Sequence, residues 1–150
     1  MTSTCQLCTF YVDDISIGID VEAVQEVLQT QHVTKVPLSD PTVAGLVNLR
    51  GQIVTAIDLR NCLRRPARDE QSGSLSLIIR HESALVCFLV DRVGEVTDVD
   101  PANFTASPES LDPTIRELVT GGYRLSDGLL LMLEPGRVVD HVTELHKPTT

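Results

Sequence analysis

Apolar and polar residues alternate along residues 7–12 and 15–19 on either side of Asp13-Asp14, the pattern of two strands joined by a tight turn. Asp20 follows as a helix N-cap, and Val21, Val24, Val27 and Leu28 recur at helical spacing, which predicts a short helix over 21–29. Residues 32–36 read as a strand ended by Pro37. Two alternating runs, 45–49 and 52–59, then meet at Arg50-Gly51, where a glycine supplies the positive φ of a tight turn. They form a β-hairpin with a charged tip. The polar stretch 61–74, which holds Arg64, Arg65, Pro66, Arg68 and Gly73, is the expected internal linker. Beyond it, 75–79 and 84–90 make another hairpin, and 93–99 continues the sheet. Prolines at 101, 108 and 113 mark a surface loop, 114–118 begins a short helix or turn, and 129–133 is a buried strand. Val138, Val139, Val142 and Leu145 place an amphipathic helix over about 136–146, leaving 147–150 frayed.

Laid on itself at an offset of 76, the chain matches Val43 with Val119, Gly45 with Gly121 and Leu49 with Leu125. The same offset pairs Ile53 with Leu129, Val54 with Leu130, Ile57 with Leu133, Asp58 with Glu134 and Leu63 with Val139. One register held through strand, turn, strand and acidic terminus predicts two related β-rich halves, about 7–66 and 74–134.

Composition narrows the function classes. At 150 residues and 42% hydrophobic content the chain holds one domain, or two small halves sharing a core. A net charge of -9 with 3% aromatic residues argues against nucleic acid, which needs a basic field or stacking platforms. No apolar run approaches the roughly 20 residues of a membrane helix, and Met1-Thr2-Ser3-Thr4 is not the charged start of a signal peptide, so a cytoplasmic chain without membrane insertion is expected.

No catalytic constellation, cofactor motif or metal-ligand set stands out. Phosphate-loop, nucleophile-elbow and zinc-helix patterns are missing, and His141 and His146 are spaced off one another's helical face. Cys5-Gln6-Leu7-Cys8 admits a thiol oxidoreductase as a remote alternative, but the pair enters a strand, where buried thiols are the expected reading. Arg60, Arg64, Arg65 and Arg68 form a basic cluster expected to be a solvated linker rather than an anionic docking site. Arg50 is different: its planar fork at a hairpin tip suits either a carboxylate on a partner or an internal ion pair, for instance with Glu26.

The run Gly45-Leu46-Val47-Asn48-Leu49-Arg50-Gly51, followed by Ile57-Asp58-Leu59-Arg60, resembles the hairpin of the CheW-like domain family. Val24-Gln25-Glu26-Val27 and the segment 88–96 extend the resemblance over about 7–145, with Thr55-Ala56 departing from it where a proline is usual. It implies a mainly β fold of two packed SH3-like five-stranded barrels with short helices. The implied role is a non-enzymatic adaptor between a methyl-accepting chemotaxis receptor and a CheA-type histidine kinase. It also implies recruitment to membrane receptor arrays, and allows ring assembly with the kinase or other CheW-like copies. The same adaptor role in a pathway controlling surface motility or gene expression is the alternative. By resemblance, Val24, Glu26, Gly45, Asn48 and Arg50 serve receptor binding or kinase control, while Tyr123 and Arg124 serve kinase binding.

Overall fold

In the computed structural model, residues 5–30, 32–35, 42–66, 73–106, 111–126 and 128–145 are described. Eleven strands are assigned among them: β1 Cys5–Val12, β2 Ile15–Asp20, β3 Val24–Gln29, β4 Val43–Leu49, β5 Gln52–Asp58, β6 Leu75–His81, β7 Ala84–Val90, β8 Arg92–Val99, β9 Phe104–Thr105, β10 Val119–Leu125 and β11 Gly128–Leu133. Three short helices join them: α1 Leu59–Cys62, α2 Pro113–Leu118 and α3 Pro135–Leu145. The fold is mainly β, as expected.

Strand order is β3-β6-β7-β5-β4 in a five-stranded sheet and β8-β1-β2-β11-β10-β9 in a six-stranded one. The predicted halves 7–66 and 74–134 therefore do not coincide with the sheets. Hairpin β1–β2 sits among strands of the second half, and hairpin β6–β7 among strands of the first. The repeat reports which segments are duplicated, whereas pairing is decided by which strand edges meet.

The exchange is symmetric. Parallel pairing joins Thr55 to Val86 and Ala56 to Cys87 in one sheet, and Leu131 to Ile17 and Met132 to Gly18 in the other. Both sheets also close in the same manner. The chain leaving β3 bridges the opposite edge at Thr34–Leu46, and the chain leaving β8 does so at Thr105–Gly122. Each sheet thus rolls into a barrel-like lobe.

Strands β1, β6 and β7 are buried on both faces, whereas the edge strand β3 alternates between half-buried and exposed positions. Phe10, Ile17, Ile19, Ile57, Leu77, Phe88 and Leu133 meet in a large core shared by both sheets, joined by Leu118 and Val138 from α2 and α3. The opposite faces line two smaller cores. One holds Val47, Val54, Ile78 and Cys87; the other holds Leu7, Val99, Tyr123 and Leu130.

The helix expected over 21–29 is not formed. The Asp20 carboxylate does accept the Glu22 N–H at 3.0 Å, but the turn it caps is a single 3-10 turn, Val21–Ala23, and the chain continues as β3. Three valines within seven residues favour a strand, and β6 offers a ladder along β3, broken by one bulge between Val24 and Glu26, that outweighs one helical face. Of the strand expected over 32–36, Thr34 forms the bridge and Val36 lies outside the described residues. The expected proline loop contains a 3-10 turn, Pro101–Asn103, and the short strand β9 before 107–110, which lie outside the described residues.

Candidate protein interaction site

Hairpin β4–β5 closes with Leu49 opposite Gln52, leaving Arg50 and Gly51 as a two-residue turn. Their φ angles are 50° and 88°, so both residues, not the glycine alone, take the left-handed region that a right-twisted hairpin favours. Asn48 stabilises the turn locally, its Oδ1 accepting the Gly51 N–H at 2.8 Å. Asn48 is therefore first a turn residue, although its side chain is exposed.

At this tip the Arg50 guanidinium donates from Nη2 to Glu26 Oε2 at 2.7 Å. Glu26 lies on β3 and Arg50 beyond β4, the two edges of the five-stranded sheet, so the pair staples the rolled sheet across its opening. The two side chains are unequally exposed, Arg50 at 65% and Glu26 at 23%. Glu26 Oε1 is buried without a hydrogen-bond partner, while Oε2 takes the bond from the Arg50 fork. The Glu26 hydrogen bond and charge push the Arg50 pKa above its ordinary value, so the presented cation persists at any working pH. The internal ion pair considered from sequence is formed, and Arg50, though pinned by it, still offers most of its fork to solvent.

Gly45 acts through the backbone. It sits at a β-bulge with φ 149°, and a Cβ there would fall 2.2 Å from Thr34 O. It lets the chain beyond β3 approach β4 and complete the roll. Val24 packs partly against the shared core at the start of β3. Sequence reasoning passed over Ile53, which is 60% exposed and pairs with Asn48 beside the tip, and Val27, also exposed on β3. Large aliphatic residues at the polar-facing positions of alternating strands were the available signal.

Tyr123 is not the surface residue expected of a kinase contact. It is buried in the smaller core of the six-stranded lobe, its ring edge-on to Phe104 at 5.2 Å between centroids, and burial raises its pKa. Arg124, next along β10, is exposed. Alternation explains the split, because neighbours in a strand face opposite ways.

The basic cluster also departs from expectation. Arg60 makes a forked contact with Asp91, and Arg65 reaches Asp14 at 3.1 Å, so both are internal partners rather than solvated linker charges. Arg68 lies outside the described residues, as does His146. Cys5 and Cys8 belong to the strand β1 and pack into different cores. Burial pushes both thiols above the ordinary 9.0, the reverse of what a thiol nucleophile requires. Among the described residues no group of three His, Cys, Asp or Glu side chains could hold a metal ion, and no helix is long and apolar enough to cross a membrane.

Comparison with known proteins agrees with this arrangement. The CheW-like domain model matches residues 6–143. The chain is 28% identical to the chemotaxis protein CheW of Bacillus subtilis over 124 residues, 80% of each chain. It is 27% identical to that of Thermotoga maritima over 140 residues, covering 92% of this chain and 89% of the relative. The crystal structure of the scaffolding protein TtCheW from Thermoanaerobacter tengcongensis superposes with a TM-score of 0.78 at 24% identity, covering 88% of this chain and 90% of the other, a likeness of fold. With two barrel-like lobes, a charged hairpin tip and a family match over most of its length, the chain belongs to the CheW-like domain family, a family of non-enzymatic scaffold and adaptor proteins of chemotaxis.

Proposed function

We propose that this chain couples a methyl-accepting chemotaxis receptor to a CheA-type histidine kinase, acting at membrane receptor arrays. The observation that carries the reading is the Arg50–Glu26 staple, which holds an exposed guanidinium on a two-residue turn while leaving most of its donors unused. A fixed fork loses little conformational freedom on meeting an acidic partner surface. Exposed Ile53 and Val27 supply apolar area of the kind that contact cores require. Glu26 and Asn48 position Arg50, Gly45 shapes the strand beneath it, and Val24 anchors β3. Arg124 is the exposed candidate for a kinase contact on the other lobe, with Tyr123 supporting it from below. Assembly into rings with the kinase or with other CheW-like copies belongs to the same reading.

Reconstitution with receptor-bearing membranes and the kinase tests it. The wild-type chain should raise receptor-dependent autophosphorylation and co-sediment with both partners. Arg50→Ala and Ile53→Ser should reduce activation at least about tenfold while remaining folded. A wild-type chain that binds neither partner would refute the coupling role.

A further inference from the structure

One end of the shared core is stoppered by the short segment that follows β5. Its apolar residues Leu59, Cys62 and Leu63 are buried in the same cluster as Val12, Ile15 and Val90. The segment contains a single helical turn, Leu59–Cys62, too short to be stable by itself. Ionic contacts tie it down. Arg60 donates from Nε at 3.0 and 3.1 Å and from Nη2 at 2.8 Å to the Asp91 carboxylate, and from Nη1 at 2.7 Å to Pro66 O. Asp91 also accepts the Asp13 N–H at 2.6 Å, and Arg65 reaches Asp14 at 3.1 Å. Two arginines of one short segment thus grip the β1–β2 turn and the corner between β7 and β8, where the chain passes from one sheet to the other.

We propose that residues 59–66 form a latched plug over the shared core, with the Arg60–Asp91 pair as its latch. The strands β1, β2, β5 and β7 around it are each ladder-bonded on both sides. The plug has no such ladder and is held largely by its buried apolar side chains and ion pairs, so it opens more readily than those strands do. The Arg60 and Asp91 side chains are 17% and 15% exposed, which shields the pair from salt and makes removal of one partner costly to the other.

The native cysteines provide the readout. Cys62 rides on the plug and Cys87 lies at the centre of the five-stranded sheet, and both are 0% exposed. Under native conditions, N-ethylmaleimide labelling of the full chain, followed by peptide mass spectrometry, reports plug opening at Cys62 and global unfolding at Cys87. Arg60→Gln should speed labelling of Cys62 by about tenfold or more and leave Cys87 unchanged, with Arg60→Lys in between because it keeps the charge and loses the fork. Asp91→Asn should match Arg60→Gln, and the double variant should be no faster, as expected for one shared interaction. An unchanged Cys62 rate, or equal acceleration of both cysteines, would overturn the latch. Should Arg60→Gln fail to fold, Arg65→Gln should still produce a smaller increase confined to Cys62, and no increase there would also overturn it.

Discussion

Hairpins β4–β5 and β10–β11 are the same piece of chain used twice. Their pairings run in one register, from Val43–Ile57 to Leu49–Gln52 in the first and from Val119–Leu133 to Leu125–Gly128 in the second, with a bulge at the same place. Gly45 and Gly121 occupy those bulges at φ 149° and 152°. The helices that follow begin alike, the Asp58 carboxylate accepting the Arg60 N–H and the Glu134 carboxylate the Gly136 N–H. What differs is the tip. The position of Arg50 is taken by Ser126, so the carboxylate on the second edge strand, Glu95 on β8, has no arginine at the matching turn. The backbone is shared, and an arginine held at the hairpin tip by an edge-strand carboxylate is found on the five-stranded lobe and not at the matching Ser126. The hairpin backbone and the arginine at its tip are therefore separable features of this chain.

The largest effect should come from the feature the hairpins share. Gly45→Val and Gly121→Val each drive a side chain into backbone, at 2.2 Å from Thr34 O and 2.4 Å from Thr105 O. Each should cost at least about 3 kcal/mol in urea denaturation. A tolerated substitution at either site would break the equivalence. Next, Tyr123→Ala should remove about 3 kcal/mol by emptying the smaller core beside Phe104, whereas Arg124→Ala should stay within about 0.5 kcal/mol and, if kinase binding lies here, weaken only that binding.

Alkaline pH gives a smaller effect that separates the lobes. Burial holds the Cys87 and Cys8 thiols above the ordinary 9.0, so above about pH 9 the unfolded chain releases protons that the folded chain retains. Stability is then fully present below that pH and falls as pH rises through it. The denaturation midpoint should decline from about pH 9 upward, and Cys87→Ala should flatten the decline more than Cys5→Ala, since Cys87 is the more deeply buried.

Much of this was legible in the chain because it depends on local pattern. The hairpins, the offset of 76 and the Arg50-Gly51 turn are properties of alternation and turn chemistry, and they reappear in the pairing register. Residues 21–29 misled because helical spacing of valines is also compatible with a strand, and only the partner β6 decides between them. Exchange of hairpins between the lobes left no trace in the sequence, since it depends on which edges meet. The contacts of Arg60 and Arg65 were hidden for a related reason: their aspartates lie on distant turns. Glu26 was visible as one candidate partner for Arg50, but its unequal burial was not.

The central claim is that Arg50 is held from within and used from without, and exchanging the two charges in the double variant Glu26→Arg, Arg50→Glu tests it most directly. The swap rebuilds an ion pair across the same opening while presenting the opposite sign at the tip. Thermal stability should recover relative to Arg50→Glu alone, while receptor-dependent kinase activation in reconstituted membranes stays lost. Recovery of both stability and activation would contradict the account, because it would mean that the pair serves only to close the sheet.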